Sequence, residues 1–162
     1  MPTVSHSSTP PATTAGWREW VSLPALGVPW VKAKLDTGAR TSALHAFDPE
    51  GFVQDGAEWV RFWVHPWQRS VADSVQVELP VVERRLVRSS TGHVDERPVV
   101  PMDIRLAGRT VRAEVTLSRR DEMGFRMLIG REALRQGFLV DPSRSYLGGR
   151  PRRTTRRRNR GV

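Results

Sequence analysis

The sequence predicts an all-β domain, a small closed or partly closed barrel with one short C-terminal helix. From Trp17 to about Leu147, short segments that alternate apolar and polar residues are separated by Gly, Pro and Asp. The sequence shows no internal repeat, no heptad pattern and no alternation of strands with helices. Its 162 residues suffice for one domain with a sizeable core. A barrel is the natural way to bury one face of so many short strands.

Four segments carry the strand prediction. In WVKAKLD, three apolar residues alternate with lysines and are expected to face the core: Val31, Ala33 and Leu35. Later segments repeat this alternation at Val60, Phe62 and Val64, at Val75, Val77 and Leu79, and at Val111, Ala113, Val115 and Leu117. REALRQG is the segment with helical character, because good helix formers are followed there by Gly137, a residue that often ends helices.

Composition separates two terminal segments from this domain. The first fifteen residues are almost all small, polar or Pro and lack the apolar stretch of a signal peptide, so we interpret residues 1–15 as a disordered leader. The formal net charge is +9, but seven arginines lie between Arg150 and Arg160, which leaves about +2 for the rest. We therefore expect a domain over residues 16–148 and an Arg-rich disordered tail over residues 149–162.

The charge and the cysteine count limit the partners and the chemistry. An arginine tail attracts RNA, ribosomes or acidic proteins by non-specific electrostatics, although a merely solubilising extension would have the same composition. The absence of Cys excludes disulfides, thiolate metal sites and a cysteine nucleophile. No window of the sequence is apolar enough to span a bilayer, so we expect a cytoplasmic protein without a membrane partner.

A carboxylate follows the first predicted core strand in LDTGA. Asp36 stands where that strand ends, Thr37 offers a hydroxyl, Gly38 permits close backbone approach, and Ala39 adds little bulk. Two such carboxylates placed together share a proton, so that one activates water and the other protonates a carbonyl. An ordinary turn carboxylate is the alternative. The sequence has one Asp-Thr-Gly, so a second catalytic Asp would come from another copy in a homodimer.

A second motif, FRMLIGREAL, lies farther along the chain. An apolar strand end is followed by Gly130 and Arg131 and then by the predicted helix. This order of motifs resembles the retropepsin-like aspartic proteases, in which the late Gly-Arg segment packs beside the aspartate loop. The resemblance implies that Gly130 lets two backbones approach and that Arg131 ties the loops together by fork-like hydrogen bonds. The chain has Glu132 after Gly-Arg, where retroviral enzymes usually carry Asn or Asp.

Longer segments sharpen the resemblance, among them WVSLPALGVPWVKAKLDTGARTSALHAFD, VRSSTGHVDERPVV and VDPSRSY. They resemble a bacterial retropepsin-like family that bears the name ATP-dependent zinc protease. Its members are often encoded beside, or fused to, ATP-grasp glutamate ligases that add Glu residues to a ribosomal protein. The similarity covers essentially Trp17 to Leu147. It implies a retropepsin-like (acid protease) β-barrel and an aspartic endopeptidase that hydrolyses a peptide or protein substrate.

The family's name is at odds with the residues. The sequence has neither a G-x-x-x-x-G-K-[ST] phosphate loop nor the H-E-x-x-H motif of zinc proteases. His45, His65 and His93 stand alone in β or loop contexts. We therefore expect no cofactor and no metal site. A metal-dependent peptidase stays open as an alternative, because scattered histidines can converge in space.

The segment RRLVRSSTGHVDERPVV predicts a β-hairpin between the two motifs. The resemblance implies that this hairpin is a flap over the substrate. The residues expected to meet substrate are Arg88, Ser89, Ser90, Thr91, Gly92, His93 and Arg97. Arginines facing the cleft would favour acidic side chains, although arginines on a solvated hairpin would look the same. With the glutamate-ligase association, they motivate the hypothesis that the enzyme cleaves or trims Glu-rich or polyglutamylated segments.

Three residues after the aspartate loop, Arg40, Thr41 and Ser42, either orient the loop or line the cleft, and the sequence does not choose between these roles. A non-catalytic module that grips an acidic peptide, with the tail on a ribosome, is the other alternative. A purely nucleic-acid-binding role is less favoured, because the basicity is confined to the tail.

Overall fold

The computed structural model describes residues 11–88, 91–119 and 124–160. Its strands, numbered in chain order, are β1 Thr13–Gly16, β2 Arg18–Leu23, β3 Val28–Leu35, β4 Ser42–His45, β5 Phe47–Gln54, β6 Ala57–Val64, β7 Val75–Pro80, β8 Glu83–Arg88, β9 Val94–Leu106, β10 Arg109–Ser118, β11 Met127–Ile129 and β12 Phe138–Asp141. The helices are α1 Arg131–Leu134 and α2 Arg153–Arg156, and two 3₁₀ turns span Pro24–Leu26 and Arg157–Arg160. The predicted all-β class and the short helix at REAL are confirmed.

A seven-stranded sheet closes on itself and forms the barrel. Its order is β10-β4-β11-β3-β2-β9-β8, and β9 also pairs with β10. The 13-residue β9 makes this closure because its first half pairs with β8 and its second half, from Val99 to Leu106, pairs with β10. A three-stranded antiparallel sheet, β5-β6-β7, and the parallel pair β1-β12 complete the strand pairings of the described residues.

The alternating segments bury the faces that their sequences predict. The apolar positions of β3, β6 and β10 are buried, namely Val31, Ala33 and Leu35, Val60, Phe62 and Val64, and Val111, Ala113, Val115 and Leu117. In β7, Val77 is buried, whereas Val75 and Leu79 are half-buried and pack against the core. Alternation predicts these faces correctly because consecutive side chains of a strand point to opposite sides.

Both ends of the described chain are attached to the barrel. β1 begins at Thr13, inside the segment interpreted as a leader, and pairs in parallel with β12 from Thr13↔Phe138 onward. The side chain of Glu19 is buried and accepts hydrogen bonds from the backbone N–H groups of Gly16, Leu147 and Gly148 at 2.7, 2.9 and 2.9 Å. One buried carboxylate therefore joins the first strands to the segment that follows β12.

Residues 149–160, predicted as part of a disordered tail, also contact the body of the protein. Pro151 is buried, and the two helical turns that follow it end at Arg160. The N–H of Gln68 donates to Oδ1 of Asn159 at 2.8 Å, and Arg158 forms a salt bridge with Asp73. A backbone donor and a carboxylate acceptor on the loop after β6 thus hold in place a segment whose own charges repel one another. No helix in the part of the chain that the structure describes is long and apolar enough to cross a membrane.

Candidate active site

The loop that contains Asp36 follows β3 directly. The Asp36 N–H donates to the carbonyl of Ile129 at 2.8 Å, so the backbone enters the loop already fixed to β11. Oδ1 of Asp36 accepts from the N–H groups of Gly38 and Ala39 at 2.9 and 3.2 Å. A Cβ on Gly38 would lie 3.2 Å from that same Oδ1. The loop therefore orients a half-buried carboxylate with its own backbone donors, and a side chain at Gly38 would crowd it.

Strand β11 brings the second motif to the same edge of the barrel. It lies between β3 and β4, parallel to β3 with Met127↔Ala33 and antiparallel to β4 with Met127↔Leu44. Parallel strands end at one edge of a sheet, so the turn at Gly130 follows β11 beside the loop that follows β3. The resemblance to the retropepsin-like proteases implied this juxtaposition.

Gly130 lies in contact with the backbone of the aspartate loop. A Cβ there would be 2.5 Å from both the carbonyl carbon and the carbonyl oxygen of Thr41, and real Cβ atoms do not approach that closely. The N–H of Gly130 donates to Oγ of the buried Ser42 at 3.0 Å. The next two N–H groups, of Arg131 and Glu132, donate to the carbonyls of Ala39 and Arg40 at 2.7 and 3.0 Å. Ser42 thus orients the loop.

The charged side chains of this junction lie on its outer surface. The guanidinium of Arg131 donates from Nη1 to the Thr37 carbonyl at 3.4 Å, a single long bond where a fork was expected. Nε of Arg40 donates to Oε1 of Glu132 at 2.9 Å. That hydrogen bond is the main reason that the pKa of Glu132 is lowered, and the charge of Arg85 adds to it. Glu132, noted in the sequence as a departure from retroviral enzymes, therefore pairs with Arg40.

The predicted hairpin forms from β8 and β9, with Arg88 opposite Val94. Gly92 turns its tip with φ of +81°, and Thr91 and His93 flank it. Ser89 and Ser90 lie outside the described residues. Glu132 raises the pKa of Arg40 most, and the charge of Glu83, at the base of the hairpin, raises it further. Contact of the tip residues with substrate stays a prediction.

The arginines of the hairpin mostly have acidic neighbours. Salt bridges join Arg84 to Glu58, Arg85 to Glu83 and Arg97 to Asp95. Arg88 is exposed. A cavity of about 350 Å³ lies between β9 and β10, and the residues that line it include Arg97, Pro98, Leu117, Ser118 and Arg119. Of the predicted arginines, Arg97 thus lines a concave surface.

The comparison with protein families agrees with this geometry. Residues 14–151 match the RimB-like family, described as the retropepsin-like aspartic endopeptidase RimB. The chain belongs to this family. The match includes both Asp-Thr-Gly and the Gly-Arg turn that packs against it, and it confirms the resemblance stated from the sequence.

Relatives of this RimB-like chain include longer proteins. It is 46% identical over 134 residues to a protein of Shewanella halifaxensis and 42% identical over 128 residues to one of Desulfotalea psychrophila, both named "Probable alpha-L-glutamate ligase". The aligned parts are 83% and 79% of this chain but 29% and 28% of those proteins. The crystal structure of Lpg0085 from Legionella pneumophila superposes with a TM-score of 0.70 at 26% identity and covers 84% of this chain and 98% of that one.

Two histidines of this RimB-like chain stack on one phenylalanine. The rings of His45 and His65 lie 4.1 and 3.7 Å from the ring of Phe47, centroid to centroid. At these separations both cannot occupy one face, so Phe47 separates the two imidazoles. Burial lowers the pKa of His65, and the charge of Arg126 lowers it further. Within the described ranges, no three His, Asp or Glu side chains are grouped so that they could hold a metal ion.

Sequence reasoning missed two contributions to the site and one to the fold. Ser42 was left undecided, because a serine after a loop gives no sign that it will accept a buried N–H. Glu132 was noticed as an anomaly without its partner, Arg40. Glu19 shares the buried face of β2 with Val21 and Leu23, and this alternation in the sequence is a signal that predicts a buried carboxylate.

Proposed function

We propose that this RimB-like chain is an aspartic peptidase in which Asp36 activates the attacking water. The observation that carries the proposal is the intact Asp-Thr-Gly loop: Oδ1 of Asp36 is held by two backbone N–H groups, and the loop is held against the Gly130 turn by further backbone hydrogen bonds. A carboxylate oriented in this way needs no movement to act as a base, which is the condition for efficient general base catalysis.

The chemistry requires a second carboxylate, and we propose that a second copy supplies it. In a two-fold dimer the two Asp36 residues share one proton. The ionised carboxylate takes a proton from water while the water oxygen attacks the peptide carbonyl carbon, and the protonated carboxyl gives its proton to the carbonyl oxygen. Collapse of the tetrahedral intermediate breaks the C–N bond: the protonated carboxyl gives its proton to the leaving amine, and the other carboxylate takes a proton from a hydroxyl of the intermediate, so that the pair again shares one proton.

We further propose that the substrate is rich in Glu and that the enzyme acts in the cytoplasm. Support comes from the glutamate-ligase names of the longer relatives and from the arginines of the hairpin. An acidic substrate would replace Glu58, Glu83 or Asp95 as the partner of Arg84, Arg85 or Arg97. Such exposed ion pairs contribute about 0–1 kcal/mol each, so the exchange costs little.

Mass spectrometry of peptides tests the reaction. A Glu-rich peptide and its Gln-rich counterpart are incubated with the wild type, with Asp36→Asn and with Asp55→Asn, each with and without a chelator. Asn at position 36 keeps an oxygen for the N–H groups of Gly38 and Ala39 but loses the base, whereas Asp55 lies in an exposed turn between β5 and β6.

We expect both wild type and Asp55→Asn to cleave the Glu-rich peptide faster than the Gln-rich one, with or without chelator, and Asp36→Asn to lose cleavage. Cleavage that survives Asp36→Asn but stops with chelator would mean a metallopeptidase. Equal cleavage of the two peptides would refute the Glu preference alone. Binding of the acidic peptide without any cleavage would point to a non-catalytic binding module.

Mixing the wild type with Asp36→Asn tests the shared site. If each active unit needs an Asp36 from two copies, an equal mixture after subunit exchange retains about a quarter of the activity of the same total amount of wild type. If a single copy suffices, about half remains.

A further inference from the structure

A basic cavity lies on the outer face of β2 and β3, where the C-terminal segment crosses them. It has a volume of about 280 Å³ and contains five cationic side chains and, among the described residues that line it, no acidic one. The lining residues are Arg18, Trp20, Lys32, Tyr146, Arg150, Arg156, Asn159 and Arg160.

The tertiary structure assembles this cavity from distant parts of the sequence. Trp20 and Lys32 face each other across the β2–β3 pairing and point away from the barrel core. The C-terminal turns are held over them by two contacts with the loop after β6, the Gln68–Asn159 hydrogen bond and the Asp73–Arg158 salt bridge. These contacts use Asn159 and Arg158 for attachment, whereas Arg150, Arg156 and Arg160 of the segment line the cavity.

One buried donor in the cavity has no acceptor in the part of the chain that the structure describes. Nε of Arg156 is buried and has no hydrogen-bond partner among the described residues. A buried donor without an acceptor is destabilising, and the neighbouring cations add repulsion. An anion in the cavity would relieve both costs.

Aromatic rings accompany the cations. The guanidinium of Arg18 lies 4.8 Å from the ring centroid of Trp17 and 4.9 Å from that of Tyr146, and Arg150 lies 5.7 Å from the Tyr146 centroid. Planar guanidinium groups bind phosphate oxygens with two parallel N–H donors and also stack on bases. Side chains of aspartate or glutamate need the cations but have no use for stacking surfaces.

A second cavity continues the first. It measures about 340 Å³ and is lined by four arginines, Arg153, Arg156, Arg157 and Arg160. Arg156 and Arg160 belong to both cavities, so the two form one surface, which we call the basic track. A surface of this kind matches a chain of regularly spaced anions better than a single ion.

We propose that the basic track binds the phosphate backbone of a single-stranded nucleic acid. Cations that follow a backbone, together with guanidinium planes on which bases can stack, are the combination that such ligands require. The inference does not rest on the peptidase proposal, because Asp36 lies in the loop after β3 and is not among the residues of the track. The proposed binding surface differs from a charged random coil, because Arg18 and Lys32 of the barrel also line it.

Fluorescence polarisation tests the track with labelled oligouridylate RNA and oligothymidylate DNA of about twelve nucleotides. The informative variants are Lys32→Gln on the barrel and Arg160→Gln in the C-terminal segment. Arg152→Gln is the matched control, because Arg152 is exposed and lines neither cavity. All three remove one positive charge. Thermal melting verifies that each variant is folded, and Asp36→Asn is included to separate this test from that of catalysis.

We expect the wild type to bind at least one of the two oligonucleotides and Asp36→Asn to bind it with the same affinity. Lys32→Gln and Arg160→Gln should each weaken that binding by about threefold or more and reduce the slope of log K against log salt by about 0.7, whereas Arg152→Gln should have a smaller effect. If the three variants behave alike, the tail acts as a diffuse charge and the track is refuted. A polyglutamate peptide that binds as tightly as the oligonucleotides and displaces them would also overturn the proposal, in favour of an acidic protein ligand.

Discussion

The aspartate loop and the basic track are built in opposite ways. At the loop, backbone groups make most of the contacts: the N–H groups of Asp36, Arg131 and Glu132 donate to carbonyls of the facing segments. At the track, side chains from β2, β3 and the C-terminal segment make the surface, and the backbone serves only to bring them together. The aspartate loop therefore has a fixed geometry, whereas the basic track is defined by its charge.

This difference determines how each region responds to substitution. A site made of backbone contacts tolerates almost any exposed side chain but no added atom where two backbones touch. A site made of charges loses affinity in small steps, since each phosphate contact contributes a similar share. Substitutions at the loop should therefore act on stability and catalysis together, and those at the track on binding alone.

Gly130→Ala should have the largest effect on stability. Its Cβ would lie 2.5 Å from the carbonyl carbon of Thr41, so one of the two segments must move. We expect the free energy of unfolding to fall by about 3 kcal/mol and peptidase activity to be lost. Urea denaturation measures the change. Gly51→Ala, in strand β5, is the control, because its Cβ would make ordinary contacts at 3.8 Å or more. Equal stability of the two variants would show that the loop and turn are not as tightly packed as described.

Ser42→Ala should have an intermediate effect. It removes the acceptor of the Gly130 N–H and leaves a buried donor without a partner, at a cost of about 1–3 kcal/mol. Thermal denaturation of Ser42→Ala and of Ser143→Ala, which removes an exposed hydroxyl bonded to Asp141, gives the comparison. The backbone account of the loop fails if the two variants melt at the same temperature.

Protonation of Asp73 at low pH, which weakens its contact with the C-terminal segment, should have the smallest effect on stability. The Trp67 indole N–H bond, followed by that of Arg158, lowers the pKa of Asp73 from its ordinary value of 3.8. A lowered folded-state pKa means that the stabilisation is fully present above that ordinary value and is lost as the pH falls through the lower one. The chemical shift of the Trp67 indole N–H should therefore change as the pH falls below 3.8, the ordinary pKa of the carboxyl group, and Asp73→Asn should abolish this transition. A shift that persists in Asp73→Asn would have another origin.

The sequence by itself determined the buried faces of three core strands, the short helix and the hairpin. Alternation along β3, β6 and β10 gave the buried faces because side-chain direction in a strand depends only on position along it. The link between Asp36 and Gly130 was implied by the resemblance to a known family, and the hairpin followed from its turn residues. β5 escaped prediction because it contains Asp48, Pro49 and Gly51, which read locally as a turn.

Only the tertiary structure decided which distant groups meet. The bond from Gly130 to Ser42, the pair of Arg40 with Glu132 and the attachment of the C-terminal segment at Asp73 join residues that are 85 or more positions apart. Local composition indicates whether a residue favours the core, a turn or the solvent-exposed surface. Local composition does not indicate which distant residue each one contacts, because those contacts depend on how the barrel closes. The arginines that composition assigned to a disordered tail therefore form part of a surface in the folded protein.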